Sequence, residues 1–438
     1  MIRRADSMSR REALALTAKT GFGTLVLSWT GFAQTGPVPT TGKSVPELKH
    51  LDEVLVDYLR NNPSLAGASL AVARNGDVIY ARAFGYADVE ARLPAQPSSL
   101  FRIASVSKTF TSAAIMLLVQ RGKLRLTDPV FPLLALEMPF HERTPLDPRL
   151  NSITVHQVLC HTGGWAANLA RNPFETWTGF DPMFSTLQIA QSLGSQSPAR
   201  PVDIVRFMMT RPLDFDPGTH YSYSNFGYCV LGRVIEKVSG RPYADFVTSE
   251  LFKPLGIADA RIGHSLAEMR AEGEVRYYSA DDPTPTSKNV FGGKDVVWRY
   301  GGFQVEAMDS HGGWIATASD LARFGASLDI AHPNGPLTGE SIDKMFSRPA
   351  ESGTSSNGID FTEYYGYGWH VSSTEPEGRS EFHGGNFSGT SAFLMRRQDG
   401  VVWAIVFNST FDNQNQLPAV AMAPAINGSI NSTVKWPG

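Results

Sequence analysis

Cysteine is scarce in this chain, and so are long apolar runs and any excess of charge of one sign. Only Cys160 and Cys229 occur among 438 residues, so disulfides cannot frame the fold. Both lie in apolar, helix-like patterns, where cysteine usually packs as a small hydrophobe. We expect unpaired thiols, although the sequence alone does not decide whether the two are joined.

The charge balance excludes one large class of partner. Lysine and arginine number 39 against 42 aspartates and glutamates, which gives a net charge of -3. No cluster of basic residues interleaved with aromatics follows the N-terminal segment, so we predict no nucleic-acid binding. After that segment no apolar run is long enough to span a bilayer.

Several catalytic patterns are also missing. The chain has no Gly-x-Ser-x-Gly, which argues against an α/β-hydrolase. It has no His, Cys, Asp and Glu grouping at metal-ligand spacing and no phosphate-cradling glycine loop. We therefore predict neither a metal nor a cofactor. A hydrophobic fraction of 42% and a charged fraction of 18% predict a large core in one domain or two interleaved domains.

The first 33 residues have the pattern of a secretory signal peptide: a charged start, an apolar stretch and small residues around Ala33. The run Ser9-Arg10-Arg11 is similar to a twin-arginine signal, which predicts a periplasmic or secreted mature protein. The alternative is a frayed basic tail on a cytoplasmic protein. Residues 34–46, rich in Pro, Thr, Gly and Ser, are predicted to be a linker.

The remaining chain divides into an α/β sheet domain, residues 47–128 and 304–430, and a mainly helical insertion, residues 129–303. Asn75-Gly76 between two β-branched runs predicts a hairpin. If this hairpin pairs with the late strands, an antiparallel sheet closes from both chain ends.

The predicted strands are 68–74, 78–84, 364–371, 379–383, 390–396 and 401–408. Apart from the apolar run 108–122, the clearest predicted helices are 47–60, 155–160, 202–209, 225–238, 243–251 and 417–426.

The most informative pair is Ser105 and Lys108, at the start of the long apolar run that ends at Gly122. At positions i and i+3 of a helix the amine can reach the hydroxyl. To act as a base near neutral pH, a lysine must have its pKa lowered from about 10.4 to about 7, which takes roughly 4 to 5 kcal/mol. The same spacing occurs at Ser341 and Ser432, which we discard because one lies in a polar pattern and the other near the C-terminus.

Two further motifs supply partners for Ser105. Tyr223-Ser-Asn225 is a single match to Tyr-x-Asn, in a loop just before a helix, and a tyrosine could share the proton transfer. His-x-Gly occurs at His161, His311 and His383, but only His383 lies among the predicted late strands, so we choose His383-Gly-Gly. We interpret His161 and His311 as structural or loop residues.

These three motifs, in this order, resemble those of the serine β-lactamase and penicillin-binding protein superfamily. The segments 153–165, 215–218 and 312–324 are similar to further recurring blocks of that superfamily. The resemblance covers most of residues 45–410. It is strongest to the class C-like branch, which includes family VIII carboxylesterases, D-aminopeptidases and D-alanyl-D-alanine carboxypeptidases.

The resemblance implies an α+β, β-lactamase/transpeptidase-like fold with the site between sheet and insertion. It implies Ser105 as the acyl-accepting nucleophile, with Lys108 and Tyr223 as shared general base and acid. By the same resemblance Asn225 would bind the substrate or Lys108, and the amides of Ser105 and Asn386 would form the oxyanion hole. The substrate-binding set is Asn225, His383, Gly384, Gly385 and Asn386.

The expected function is hydrolysis of an ester or amide through an acyl-enzyme, of esterase or D-amino-acid peptidase type. Class C β-lactamases usually carry Lys-Thr-Gly where this chain has His383-Gly-Gly, which makes that activity an alternative. A non-catalytic penicillin-binding or sensor protein is another. The expected partners are small-molecule esters, D-peptides or β-lactams, with no stable membrane span after signal removal.

Each site residue also has an ordinary structural interpretation. Lys108 could be a solvated helix lysine, Tyr223 a packing residue, Asn225 a helix cap and His383 a structural histidine. Separately, Trp165, Trp314 and Trp369 are proposed as pocket walls or core residues. Oligomeric state does not follow from the sequence.

Overall fold

The structure, a computed structural model, describes residues 36–137, 146–167, 170, 172–174, 179–280, 284–349, 363–374 and 378–437. The predicted signal peptide lies outside these residues. Among them, no helix is long and apolar enough to cross a membrane.

A large antiparallel sheet holds the fold together, and its strands come from both ends of the chain. In the described residues it has nine strands, in the order β1-β3-β2-β12-β11-β10-β9-β8, with β4 beside β3. Three shorter strands, β5, β7 and β6, form a second sheet. The strands are β1 (Thr40–Thr41), β2 (Gly67–Arg74), β3 (Asp77–Asp88), β4 (Leu93–Pro94), β5 (Phe101–Arg102), β6 (Arg261–Ile262), β7 (Trp314–Ala316), β8 (Glu363–Tyr365), β9 (His370–Thr374), β10 (Gly378–Phe387), β11 (Thr390–Arg397) and β12 (Val401–Phe407).

The predicted hairpin and the predicted closure of the sheet are both confirmed. Asn75 and Gly76 have φ values of 52° and 89°, the left-handed pair that a tight two-residue hairpin requires. Strand β2 then pairs with β12, with Val72 opposite Trp403. The sheet therefore joins the N-terminal hairpin to the last strands of the chain.

Both faces of the sheet are buried, which explains why its central strands are apolar throughout. Successive side chains point to opposite faces, so Leu70 and Val72 pack on one face while Ala71 and Ala73 pack on the other. The first face is covered by the helices Lys49–Asn61 and Ala423–Asn431. The small alanines on the second face leave room for the long apolar helix after Ser105 and for Ala318–Ala326.

The α-helices are mostly found between β5 and β8, and each predicted helix has a counterpart. They are α1 (Lys49–Asn61), α2 (Ser107–Gln120), α3 (Val130–Leu134), α4 (Val155–Leu159), α5 (Thr186–Leu193), α6 (Pro201–Met209), α7 (Asn225–Ser239), α8 (Tyr243–Val247), α9 (Ala318–Ala326), α10 (Gly339–Phe346), α11 (Pro418–Ala421) and α12 (Ala423–Asn431). Gly122 follows α2 with φ 66°, as expected for a residue that ends a helix.

Two elements were predicted wrongly as continuous. Residues 364–371 form two strands, β8 and β9, separated by a turn in which Gly368 has φ 77°. A side chain at Gly368 would also collide with Ser112, because its Cβ would lie 2.7 Å from the serine Cβ. The predicted helix 417–426 is divided into α11 and α12 near Pro424, which lacks the N–H that a continuous helix needs.

The segments on either side of the predicted domain boundaries contact each other. Thr40–Thr41, from the predicted linker, pairs with β3, and β6, from the predicted insertion, pairs with β7. Cys160 and Cys229 are both buried, and no disulfide joins them, as expected.

Candidate active site

Ser105 lies in a tight turn that leads directly into α2. The turn is the 3₁₀ segment Ala104–Val106, and Ala104 has φ 45°, a left-handed conformation that costs an alanine about 1 to 2 kcal/mol. Ser105 is half-exposed, whereas Lys108, one turn further on, is completely buried. Strained backbone held by its surroundings is a common feature of functional sites.

Lys108 makes three polar contacts through one nitrogen. Its Nζ lies 3.1 Å from Ser105 Oγ, 2.7 Å from Asn225 Oδ1 and 3.1 Å from the backbone oxygen of His311. The last two oxygens can only accept, so they use two N–H groups. A neutral amine keeps one lone pair, which can then accept the proton of the Ser105 hydroxyl. The geometry satisfies a neutral lysine completely.

Burial also favours the neutral form of Lys108. It lowers the pKa of Lys108 well below its usual value, while the nearby Asp181 carboxylate opposes this and raises it. The loss of hydration penalises the charged ammonium more than the neutral amine. Lys108 is therefore neutral, and able to accept a proton, at a lower pH than an exposed lysine.

Tyr223 covers Lys108 from one side. The Lys108 Nζ lies 4.7 Å from the centre of the Tyr223 ring. Burial raises the pKa of Tyr223 above its usual value, and a hydrogen bond with Ser105 lowers it in part. The tyrosine hydroxyl is therefore protonated near neutral pH and can give a proton as well as relay one.

His161, interpreted from the sequence as a structural or loop residue, holds Tyr223 in position. Its backbone oxygen accepts from Ser222 N at 2.9 Å, and its Nδ1 accepts from Ser224 N at 3.1 Å. The two residues that flank Tyr223 are thus bound to one histidine. The His161 ring also lies 4.4 Å from the Tyr223 ring, centre to centre. Its φ of 60°, uncommon for a residue other than glycine, was not visible in the sequence.

Asp181 is a second site residue that sequence reasoning missed. Its Oδ2 accepts from Asn225 Nδ2 at 2.6 Å, and its Oδ1 accepts from Met183 N at 3.0 Å. Because a carboxylate only accepts, it fixes the amide of Asn225 with the NH₂ toward Asp181 and the oxygen toward Lys108. The expectation that Asn225 caps the following helix is wrong, because the side chain of Ser224 caps α7 by accepting from Gly227 N.

His383 lies beside Tyr223 but is buried. Only 2% of it is exposed, its Nε2 lies 3.0 Å from the hydroxyl of Tyr365, and its ring centre is 6.4 Å from that of Tyr223. Burial lowers its pKa well below the usual value, so the ring is neutral near pH 7. His383 therefore brings no positive charge to the site, unlike a lysine at the same motif position.

Gly385 allows β10 to approach the nucleophile closely. A Cβ at this position would lie 2.3 Å from the backbone oxygen of Ile103 and 2.9 Å from Ser105 N. On one side, β10 pairs with β9 only as far as Phe382. In the described part of the chain, no strand pairs with that side of β10 at Gly384 and Asn386. Three of the predicted residues, Gly384, Gly385 and Asn386, thus lie on the strand next to Ser105.

Other residues considered from the sequence lie outside the site. Ser341 is on α10, where it contacts Thr338, and Ser432 ends α12. Trp314 and Trp369 are fully buried, and Trp165 packs against Phe131 and Phe226. These three tryptophans are therefore core residues and not pocket walls. In the described ranges no three His, Cys, Asp or Glu side chains are arranged to hold a metal.

Comparison with known proteins agrees with this geometry. The sequence model of the Beta-lactamase family matches residues 53–422. The chain belongs to the Beta-lactamase family. The resemblance drawn from the three motifs is thereby confirmed, and so is the superfamily of serine β-lactamases and penicillin-binding proteins.

Two curated relatives show the range of this family. Esterase EstB of Burkholderia gladioli is 34% identical over 360 residues, which cover 73% of this chain and 86% of the esterase. Penicillin-binding protein 4* of Bacillus subtilis is 28% identical over 357 residues, 80% of this chain and 69% of that protein. This family member therefore has relatives named for different activities.

Solved structures confirm the fold. D-amino acid amidase from Ochrobactrum anthropi SV3 superposes with a TM-score of 0.65 at 22% identity, covering 89% of this chain and 100% of the amidase. An octameric penicillin-binding protein homologue from Pyrococcus abyssi gives a TM-score of 0.61 at 24% identity, covering 87% and 77%. The predicted α+β, β-lactamase/transpeptidase-like fold is correct.

Proposed function

We propose that this family member is a serine hydrolase that cleaves an ester or amide bond through an acyl-enzyme on Ser105. The observation that carries the proposal is the buried Lys108 amine 3.1 Å from Ser105 Oγ, with its other two contacts already made to oxygen acceptors. A base so placed can activate a serine that would otherwise be a weak nucleophile.

We propose that these groups act in the following order. Ser105 gives its proton to Lys108 while Oγ attacks the carbonyl carbon, and the oxyanion forms next to the amides of Ser105 and Asn386. Tyr223 gives a proton to the leaving group as its bond to carbon breaks, and Lys108 returns a proton to Tyr223. Water then attacks the acyl-enzyme by the reverse sequence, which frees Ser105.

Ester hydrolysis is the activity we favour. The 34% identity with an enzyme named as an esterase supports it. The neutral, buried His383 also leaves the third motif without the positive charge of the lysine that class C β-lactamases usually carry. D-amino-acid peptide hydrolysis is the second activity that the motifs favour, and a class C-like β-lactamase or a non-catalytic penicillin binder are the alternatives.

A panel assay distinguishes these activities. Purified protein would be tested against p-nitrophenyl esters, D-alanyl peptides and nitrocefin, and labelled with a fluorophosphonate probe. We expect labelling of Ser105 and multiple turnovers of at least one ester. Ser105→Ala should abolish both, whereas Ser341→Ala should change neither. Covalent labelling without turnover of any substrate would instead show a non-catalytic binder.

We also propose that the protein is exported and that residues 1–33 are removed. The charged, apolar and small-residue segments of the N-terminus support this proposal. Mass spectrometry of the protein from a bacterial periplasm should give a mature chain starting near Gln34. A full-length chain confined to the cytoplasm would contradict it.

A further inference from the structure

Four aromatic side chains form a continuous surface beside Ser105, which we call the aromatic wall: Phe184, Trp298, Phe303 and Phe387. Neighbouring ring centres are close, at 6.4 Å for Phe184 and Trp298, 5.6 Å for Phe184 and Phe303, 5.5 Å for Trp298 and Phe303, and 5.3 Å for Phe303 and Phe387. Phe303 is buried beneath the other three, which are half-exposed.

The wall reaches the nucleophile at one end. Phe387 directly follows Asn386 on β10, and a Cβ at Gly312 would lie 3.8 Å from Phe387 Cε1 and 3.9 Å from the carbonyl carbon of Ala104. Ala104 precedes Ser105. One methyl-sized group would thus touch both the wall and the nucleophile turn.

The other end of the wall is tied to the catalytic network. Phe184 ends the 3₁₀ turn Pro182–Phe184, and the cap of that turn is Asp181, which binds Asn225. The wall therefore spans the side of the site from Asn386 to Asn225. Tyr223 instead contacts His161 and lies near His383, neither of which is part of the wall.

Trp298 is held in place by the backbone next to it. A Cβ at Gly302 would lie 2.5 Å from Trp298 Cε3, so the indole packs directly over a glycine. Gly301, with φ 105°, turns the chain between the two residues. The position of the indole is thus built into the loop, which is consistent with a binding surface more than with a loosely placed side chain.

We propose that the aromatic wall is the acyl subsite of this enzyme and that it selects substrates whose acyl group carries a large apolar or aromatic substituent. The inference depends on the proposed function, because it assumes an acyl group on Ser105. The leaving group departs toward Tyr223, which protonates it. The acyl substituent then extends to the opposite side, along Phe387, Trp298 and Phe184. Aromatic rings bind such a substituent by apolar burial and by offset or edge contacts.

Two ester series separate the acyl side from the alcohol side. The first keeps p-nitrophenol and compares acetyl with phenylacetyl, and the second keeps acetyl and compares methyl with benzyl alcohol. We expect the wild type to prefer phenylacetyl over acetyl in kcat/KM. Trp298→Ala should lower the preference for phenylacetyl about tenfold or more, because the loss of one large apolar contact typically has an effect of this size. The methyl-to-benzyl preference should move by less than about twofold.

Gly302→Ala and Phe291→Ala make the test specific. Gly302→Ala displaces the indole and should reduce the acyl preference as Trp298→Ala does. Phe291, which is 41% exposed and outside the wall, should leave both preferences unchanged when replaced by alanine. Trp298→Leu, checked by thermal unfolding, provides a folded variant if Trp298→Ala is unstable. An unchanged acyl preference in the folded Trp298 and Gly302 variants would overturn the proposal, and so would a change confined to the alcohol series.

The same subsite can be examined if no ester is turned over. Two phosphonofluoridates that differ only in a methyl or phenylethyl group on phosphorus would report the rate of Ser105 labelling. Faster labelling by the phenylethyl probe, lost in Trp298→Ala, supports the subsite even where the proposed function fails. Equal rates of labelling in the wild type would overturn the subsite while leaving ester hydrolysis untouched.

Discussion

Asn225 donates through Nδ2 to Asp181 Oδ2 over 2.6 Å, and this bond determines which end of the Asn225 amide faces Lys108. With the NH₂ held by the carboxylate, the amide oxygen lies 2.7 Å from the lysine Nζ. Reversal of the amide would place an NH₂ group against the amine. Asp181 is therefore a positioning residue that acts on Ser105 through Asn225 and Lys108.

Replacement of Asp181 should change both the rate and its dependence on pH. In Asp181→Ala the amide of Asn225 loses a charged hydrogen bond, typically worth about 1.5 to 3 kcal/mol, so kcat/KM should fall about tenfold or more. The carboxylate also raises the pKa of Lys108, so its removal should move the acid limb of the pH–rate profile to lower pH. The measurement is kcat/KM for a p-nitrophenyl ester across pH.

Asp147 provides a matched control for Asp181. It also caps a 3₁₀ turn that begins with proline, accepting from Arg149 N, but it contacts no residue of the site named above. Asp147→Ala should lower the thermal unfolding midpoint without moving the acid limb. If the limb moves equally in both variants, or to higher pH in Asp181→Ala, the positioning role is wrong.

The wild-type pH profile should follow Lys108. Because burial lowers the pKa of Lys108, the amine is neutral above that lowered value and protonated below it. Activity should therefore be lost as pH falls through the lowered pKa and should be fully present above it. Burial raises the pKa of Tyr223, so loss of its proton should cause no decline below about pH 10. The measurement is kcat/KM from about pH 5 to about pH 9.

Histidines near the site should not account for the loss of activity at low pH, the acid limb of the pH–rate profile. Burial lowers the pKa values of His161, His311 and His383, so these rings are neutral through the neutral range. His370 is the partly exposed histidine nearby, paired with Glu363. The limb should persist in His370→Gln, and its disappearance there would remove the assignment to Lys108.

Tyr223→Phe should separate catalysis from folding. The phenylalanine keeps the ring against His161 and Lys108 but lacks the hydroxyl, so turnover should fall about 10²-fold or more, with the unfolding midpoint nearly unchanged. Tyr58→Phe is the control, because the Tyr58 hydroxyl binds Asp412 and its ring packs against the opposite face of the sheet. Full activity in Tyr223→Phe would contradict a role in proton transfer.

Much of this site was predictable because its residues occur in short motifs with characteristic spacing. Ser105, Lys108, Tyr223 and Asn225 were identified by spacing and order, and the structure places them in one network. The hairpin at Asn75 and its pairing with the late strands were also predictable, since apolar, β-branched runs and turn residues are local signals.

The residues that were missed carry no such local signal. Asp181 precedes a proline, but so do four other aspartates, Asp128, Asp147, Asp216 and Asp282, and the sequence does not show which of these carboxylates faces an asparagine. Trp298 lies in a loop without periodicity. Trp314 and Trp369, which the sequence offered as pocket walls, are instead fully buried core residues.

The last prediction concerns the two glycines that follow His383. Gly385→Ala should nearly abolish activity and destabilise the protein, because its Cβ would meet backbone atoms, Ile103 O at 2.3 Å and Ser105 N at 2.9 Å, that cannot rotate away. Gly384→Ala is the matched change one residue earlier. Its Cβ would meet only the side chain of Phe393, at 3.6 Å, an ordinary contact, so the unfolding midpoint should be unchanged or slightly raised.

Thermal unfolding and the rate of Ser105 labelling by a fluorophosphonate would measure both glycine effects. Gly428→Ala is the control for the general gain in stability when a helical glycine is replaced. Gly428 lies in α12, and a Cβ there would have nothing within 4 Å. We expect the labelling rate to fall in the order Gly428→Ala, Gly384→Ala, Gly385→Ala, with a large step only at the last. If Gly385→Ala labels as fast as Gly384→Ala, β10 does not pack against the nucleophile turn, and the Asn386 amide is not held beside the oxyanion as proposed.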